Sequence, residues 1–169
     1  GKVYFIEKID NKGGILQFPH GDGDTLLVKL GISYVSEKNA RENLESEIPG
    51  WDFDAVRADS RKEWNEKLSK LMVEGGTKDQ RVIFHTAHYH ALFHPQLASD
   101  VNGEYRGLDG NVHKTDGHKH YSVLSTWDTF RAAHPLYTIV EPEIQLDVIK
   151  TMIDDYKDSG WGPRWKLAC

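Results

Sequence analysis

Residues 25–50 read TLLVKLGISYVSEKNARENLESEIPG, and the hydrophobic pattern changes character in the middle of them. Thr25 to Ser36 is an apolar run without helical spacing, and it reads as extended chain. From Ser36 onward Ala40, Leu44 and Ile48 recur every four residues, the period of one helix face. Ser36 is placed to cap that helix and Pro49-Gly50 to end it. The chain is therefore strands first and helices afterwards.

Upstream, Val3-Tyr4-Phe5-Ile6 and Ile15-Leu16-Gln17-Phe18 are short apolar runs, each followed by a turn cluster: Asp10 to Gly14, then His20 to Asp24. With Thr25–Ser36 they predict three strands, which cannot close a core unaided. Downstream, Asp52 heads a second helix with apolar positions Phe53, Val56, Trp64, Leu68 and Leu71, and Gly75-Gly76 stops it. Thr77-Lys78-Asp79-Gln80 has the form of a capping box, opening a third helix that runs to His94-Pro95. Residues 96–124 are dense in Asn, Asp and Gly and predict a long loop. Within it, Glu104–Arg106 pairs with Asn111–His113 as a hairpin. Two more helices follow, at about 126–139 and 142–157, the latter with Pro142 in its first turn and Gly160 beyond its end. Sheet followed by helices is the pattern of an α+β fold or of parts of two domains.

Hydrophobic residues make up 38% and charged residues 28% of the 169, which excludes a disordered chain. No apolar run reaches the roughly 20 residues that cross a bilayer. Residues 1–8, GKVYFIEK, lack the apolar stretch of a signal peptide, and one could still precede them in an exported parent. The net charge of −5 and the scattered Lys and Arg argue against a nucleic-acid surface. Cys169 is the single cysteine, so no intramolecular disulfide forms.

Three groups of residues bear on chemistry. The first is HTAHYHALFH, with His85, His88, His90 and His94. His90 and His94 have the spacing of a metal-chelating pair on a helix. His88 and His90 diverge by about 200° on that helix, so the four cannot share one site. No Glu completes a zinc-protease motif, and these read as helical histidines that bond to loops or face water. His118 and His120, in a Gly/Lys/Asp loop, read as solvated.

The second group is Trp127, Asp128 and Arg131, at the start of a predicted helix. Asp there suits the helix dipole and capping, a purely structural role. A Trp face beside a carboxylate and a guanidinium also suits a sugar, whose C–H face packs on indole while its hydroxyls bond to the charged groups. On chemistry alone the two readings stand level. The third group is Gly160-Trp161-Gly162-Pro163-Arg164-Trp165, either a core corner or a pocket wall. Asp100, Glu104, Asp109 and Asp116 all lie in turn-forming sequence, where Asp is expected for backbone reasons. None stands out as half of a glycosidase acid–base pair.

Taken in order, GISYVS (31–36), ARENLESEIPGWDFDAVR (40–57), EWNEKL (63–68), HPQLASDVNGEYRGLDG (94–110), YSVLSTWDTFRAAHPL (121–136) and GWGPRW (160–165) resemble glycoside hydrolase family 92. Its members are calcium-dependent exo-α-mannosidases that act with inversion. The resemblance implies a large two-domain parent, a β-sandwich followed by linker helices and an (α/α)6 barrel. Residues 1–36 would be the last strands of the sandwich, 37–76 the linker helices and 77–169 the first part of a truncated barrel. It also implies that Trp127, Asp128 and Arg131 belong to the terminal-mannose subsite. Trp161, Arg164 and Trp165 would lie in a turn beside the same cavity, and Gly162 departs from the larger apolar residue usual there.

No catalytic residue and no principal ligand of the Ca2+ cofactor is expected within this chain. The expected partners are α-mannoside glycans, and the parent is expected to be exported. The chain alone is expected to be inactive and to self-associate through surface left uncovered. Other (α/α)6 glycosidases, of glucoamylase or trehalase type, share the layout but lack the DVNGEYRGLDG and WDTFR pair. A non-catalytic carbohydrate-binding or structural module is the further alternative.

Overall fold

A computed structural model describes residues 25–162 and residue 166. The two strands predicted before Thr25 lie outside the described residues, as do Arg164 and Trp165. The elements are α1 (Glu37–Glu47), α2 (Phe53–Leu68), α3 (Lys78–Ala91), β1 (Gln96–Leu97), β2 (Glu104–Arg106), β3 (Val112–Lys114), β4 (Tyr121–Ser122), α4 (Thr126–Thr129), α5 (Ala133–Val140) and α6 (Pro142–Ser159). This is a mixed α and small-sheet fold.

The predicted caps form. Ser36 Oγ accepts from Asn39 N and Asp52 Oδ1 from Ala55 N. Thr77 and Gln80 make a complete capping box. Thr25–Ser36, however, is not a strand: it runs singly along α1. Its backbone groups are taken by side chains instead, Ile32 O by Asn43 Nδ2 and Tyr34 O by Arg106 Nε. Gly31 packs so close to α1 that an added Cβ would meet Ala40 O at 2.3 Å. Only a residue without a side chain permits that approach. The apolar face predicted for α2 is only partly covered among the described residues: Phe53 is 65% exposed and Val56 exposed, while Trp64, Leu68 and Leu71 are half-buried. α2 touches α3 through Trp64 on Tyr89, ring centroids 4.6 Å apart.

The helix predicted over 126–139 is broken into α4 and α5. Pro135 explains the break, because a continuous helix would need its missing N–H to reach Arg131 O. Likewise α3 ends at Ala91, where the Tyr137 hydroxyl lies 2.6 Å from Ala91 O and 2.8 Å from His94 O. The hairpin pairs one residue later than predicted, Tyr105 opposite His113 and Arg106 opposite Val112, because its loop spans 107–111. A second antiparallel pair, β1 with β4, closes the base of the long loop.

The core is Tyr121, Leu124 and Val148, with Ile144 and Met152 packed on it. α6 thus buries one stripe, Gln145, Val148, Thr151 and Asp155, and most of that stripe is polar. Thr151 Oγ1 takes the Tyr121 N–H and donates to Asp147 O, so this burial is satisfied. Glu141, at the α5–α6 junction, is buried and paired with Lys67 at 2.6 Å and Lys70 at 2.8 Å, fastening the end of α2 to the helix pair.

Candidate functional site

α4 is a single turn that carries Trp127 and Asp128, with Arg131 just after it. All three are exposed, Trp127 by 64%. Asp128 does not cap the helix. Its carboxylate takes the Ser125 hydroxyl at 2.5 Å and, among the described residues, no backbone N–H. The Arg131 guanidinium sits over the Phe130 ring, 5.4 Å from its centroid. Thr129 Oγ1 reaches Ser125 O and His134 Nε2 (2.8 Å), while His134 Nδ1 reaches the buried Gln145 Oε1 at 2.9 Å. The turn is therefore tied to α6 from below while its aromatic and charged groups face outward.

The other predicted cluster begins where α6 ends. Gly160 adopts φ 75°, a left-handed cap that glycine takes without strain, and turns the chain out of the helix. Trp161 follows, 71% exposed, with its N–H on Ser159 Oγ. The chain then returns to pair Lys166 with Leu124, through Leu124 N to Lys166 O at 2.8 Å and Lys166 N to Leu124 O at 3.1 Å. Leu124 immediately precedes the turn that carries Trp127. One antiparallel bridge thus joins Leu124, just before the turn of Trp127, to Lys166, shortly after Trp161 in the sequence.

Beneath the bridge lies a charged cluster with no counterpart in the sequence expectations. The Lys166 ammonium donates to Asp155 Oδ1 at 2.9 Å and to His120 Nε2 at 2.7 Å. His120, predicted to be solvated, is fully buried and stacks on Tyr105 with ring centroids 3.7 Å apart. Burial depresses the His120 pKa, and the Lys166 charge adds to this against the opposing pull of Asp155. His118 is likewise withdrawn from solvent, 2.7 Å from Asp154. The loop 96–122 is docked because its histidines meet acidic residues on α6. Asp155 falls on the Val148 stripe, and that spacing was the available signal. This charged residue at a buried-face position was passed over in the sequence.

The remaining histidines and carboxylates are placed as follows. His88 is buried, and neither ring nitrogen has a hydrogen-bond partner among the described residues. Its pKa is depressed by burial and then by His85, with Glu141 opposing. Asp100 is buried, taking hydrogen bonds from Ser33 and Asn39 on Oδ2 and from Asn43 on Oδ1. Glu104 takes Asn39 and Asn102. Asp109 accepts the backbone N–H and side-chain amide of Asn111, which with His113 holds it down to about 2. These carboxylates are already committed to structural bonds. Among the described residues no group of three or more His, Cys, Asp or Glu could hold a metal ion. The Asp100 and Glu104 carboxylates are occupied by amide and hydroxyl donors, so this pair does not fit calcium.

The sequence profile of the glycosyl hydrolase family 92 catalytic domain matches residues 39–169. The chain belongs to glycosyl hydrolase family 92. A family 92 α-mannosidase from Bacteroides thetaiotaomicron superposes with a TM-score of 0.75 at 36% identity, covering 80% of this chain and 18% of that one. A family 92 inverting mannosidase from the same organism gives 0.71 at 34% identity, covering 79% and 18%. A curated relative, an uncharacterized secreted glycosidase of Arthroderma benhamiae, is 32% identical over 158 residues, 89% of this chain and 16% of that protein. The family 92 chain described here thus spans under a fifth of the length of these relatives. No helix among its described residues is long and apolar enough to cross a membrane.

Proposed function

We propose that this chain supplies one wall of the terminal-sugar site of an inverting, calcium-dependent exo-α-mannosidase that trims terminal α-mannosides from glycans. What supports the reading is one arrangement in a family 92 chain: the exposed Trp127, Asp128 and Arg131 follow Leu124, whose backbone pairs with Lys166, and the exposed Trp161 lies shortly before Lys166 in the chain. An exposed indole packs against the C–H face of a pyranose. A carboxylate and a guanidinium nearby accept from and donate to its hydroxyls. The relatives named as α-mannosidases, one of them as inverting, support the substrate class and the stereochemistry.

Inversion needs an acid on the leaving oxygen and a base on a water across the ring, with carboxyls roughly 6.5–9.5 Å apart. The buried and paired carboxylates here serve structure, so the reading assigns acid, base and calcium ligands to other parts of the polypeptide, and this chain alone is inactive. The same reading divides the chain into the end of a β-sandwich (1–36), linker helices (37–76) and the start of an (α/α)6 barrel (77–169). Export of the parent is supported by the relative named as secreted. Self-association of the isolated chain is supported by uncovered apolar residues such as Val28, Leu30 and Ile139, each more than three-quarters exposed.

The test is hydrolysis of an aryl α-mannoside by the polypeptide that carries this chain, followed by proton NMR of the released sugar. β-Mannose is expected as the first product, with loss of turnover on chelation and recovery with calcium. Trp127→Ala and Asp128→Ala are each expected to lower kcat/KM by about tenfold to a hundredfold, through lost orientation of the ring. Cleavage of α-glucosides in place of α-mannosides would move the chain to another glycosidase class. Inertness on every α-mannoside with calcium present would sink the reading.

A further inference from the structure

Lys166 is a buried lysine whose side chain is 1% exposed, and its two partners, Asp155 and His120, are at 0%. Burying an ammonium and a carboxylate together is unfavourable unless geometry and hydrogen bonding are close to ideal, and well-packed apolar groups often serve stability as well. The arrangement also leaves Asp155 Oδ2 and His120 Nδ1 without partners among the described residues. A costly, incompletely satisfied charge cluster calls for a reason beyond stability, and its location supplies one. Lys166 is the residue whose backbone pairs with Leu124, between the segment that begins at Trp161 and the turn that carries Trp127, Asp128 and Arg131. Its ammonium reaches α6 through Asp155 and the long loop through His120, and His120 in turn stacks on Tyr105 of β2. Three separate stretches of chain meet at one nitrogen.

We propose that Lys166 is a positioning residue: its buried ammonium, held between Asp155 and His120, latches the Leu124–Lys166 bridge and so sets how Trp161, before Lys166 in the chain, stands relative to Trp127, after Leu124. Its consequence for sugar binding rests on the function proposed above, while the latch itself does not. Orientation explains why a charge is used. An apolar side chain would fill the same volume but could rotate or slide, whereas an ammonium bonded to two fixed acceptors holds one register. Because Lys166 donates to Nε2, it also keeps His120 in its neutral form with the proton on Nδ1. Without that ammonium, burial still depresses the His120 pKa, but the opposing pull of Asp155 at 3.5 Å and of Asp154 is no longer countered by a positive charge, so the midpoint moves upward.

The experiment is a double-mutant cycle of Lys166→Met, Asp155→Asn and the pair, made in the full chain labelled with 5-fluorotryptophan and with 15N-histidine. In Lys166→Met the fluorine resonances of Trp127 and Trp161 are expected to shift or broaden, while Trp51 and Trp64, on the α1–α2 side, stay in place. The His120 titration midpoint is expected to rise. The double variant, free of both buried charges, is expected to be folded and more stable than either single variant, yet with Trp127 and Trp161 still displaced. In the polypeptide that carries the chain, Lys166→Met is expected to raise KM for the α-mannoside on the order of tenfold, with a smaller fall in kcat. Unmoved Trp127 and Trp161 resonances, or an unmoved His120 midpoint, would overturn the latch. Equal displacement of all the tryptophans in the double variant would do the same, because the pair would then be general scaffold. Displaced tryptophans in a polypeptide that cleaves no mannoside would leave the latch standing and remove the proposed function.

Discussion

Leu124 and Lys166 exchange both backbone hydrogen bonds, at 2.8 and 3.1 Å, and Leu124 at the same time puts its side chain into the core beside Tyr121 and Val148. One residue thus serves the hydrophobic core and the register of the candidate sugar-binding face. Val123, just before it, is held at φ 58°, a left-handed conformation that a β-branched residue adopts only under constraint.

That double role makes Leu124→Ala informative. The side chain is 3% exposed, so truncation should cost about 2–4 kcal/mol, the transfer free energy of the lost methyl groups plus the cavity left behind. Urea denaturation followed by circular dichroism measures this. A loss below about 1 kcal/mol would show that the site collapses around the smaller residue.

Asp128→Asn separates the two readings of that carboxylate. Because among the described residues Asp128 accepts only the Ser125 hydroxyl, and not a helix N–H, the change should alter stability by less than about 1 kcal/mol. Under the proposed function it should still weaken α-mannoside turnover at least tenfold, since the lost charge faces the substrate rather than the helix. A large fall in melting temperature with unchanged KM would return Asp128 to a structural role.

Glu141 should make the fold acid-sensitive. Burial alone would raise its carboxyl, but the hydrogen bonds and charges of Lys67 and Lys70 outweigh burial and hold it below the ordinary value. A carboxylate depressed on folding stabilises fully above its unfolded pKa, and that contribution is lost as pH falls through the folded one. The stability difference between the parent chain and Glu141→Gln should therefore be greatest above about pH 5 and shrink on acidification. A difference independent of pH would mean that the ion pair contributes nothing through charge.

Asn39 is buried and gives its two amide hydrogens to Asp100 and Glu104. Asn39→Asp keeps the shape, but replaces a donor with an acceptor and sets a third carboxylate against two. The lost donor to buried Asp100 alone should cost about 1–3 kcal/mol at neutral pH. Recovery is expected as acid protonates one of the three. Urea midpoints at two pH values test it, and a variant as stable as the parent at neutral pH would refute the network.

His88→Phe should act in the opposite sense. An imidazole buried with neither nitrogen paired among the described residues carries a desolvation cost that a ring of similar size does not. A gain of about 1 kcal/mol is expected, growing as pH falls through the ordinary histidine range, because the depressed pKa of His88 makes the unfolded chain bind more protons there. Thermal melts at pH 5 and pH 8 measure it.

Local chemistry in the sequence was sufficient for the helix starts and for the residues of the exposed turn. Ser36, Asp52 and the Thr77–Gln80 box act within a few residues of themselves, so their roles are legible without knowing the fold. The order of motifs likewise identifies the family, and Trp127 and Asp128 do share one turn, with Arg131 just after it. What required tertiary structure was every role that depends on a distant partner. Thr25–Ser36 has the composition of a strand, yet α1 and Arg106 take its backbone groups. His120 has the neighbours of a solvated loop residue, yet Asp155 and Lys166 draw it into the interior. A cap needs only its own turn to satisfy a hydrogen bond, whereas a buried charge needs an opposite charge brought from far along the chain. Sequence by itself therefore determined where most of the helices begin and which residues make up the exposed turn proposed to meet the sugar. Only the fold decided that Lys166, Asp155 and His120 meet in the interior under the Leu124–Lys166 bridge next to that turn.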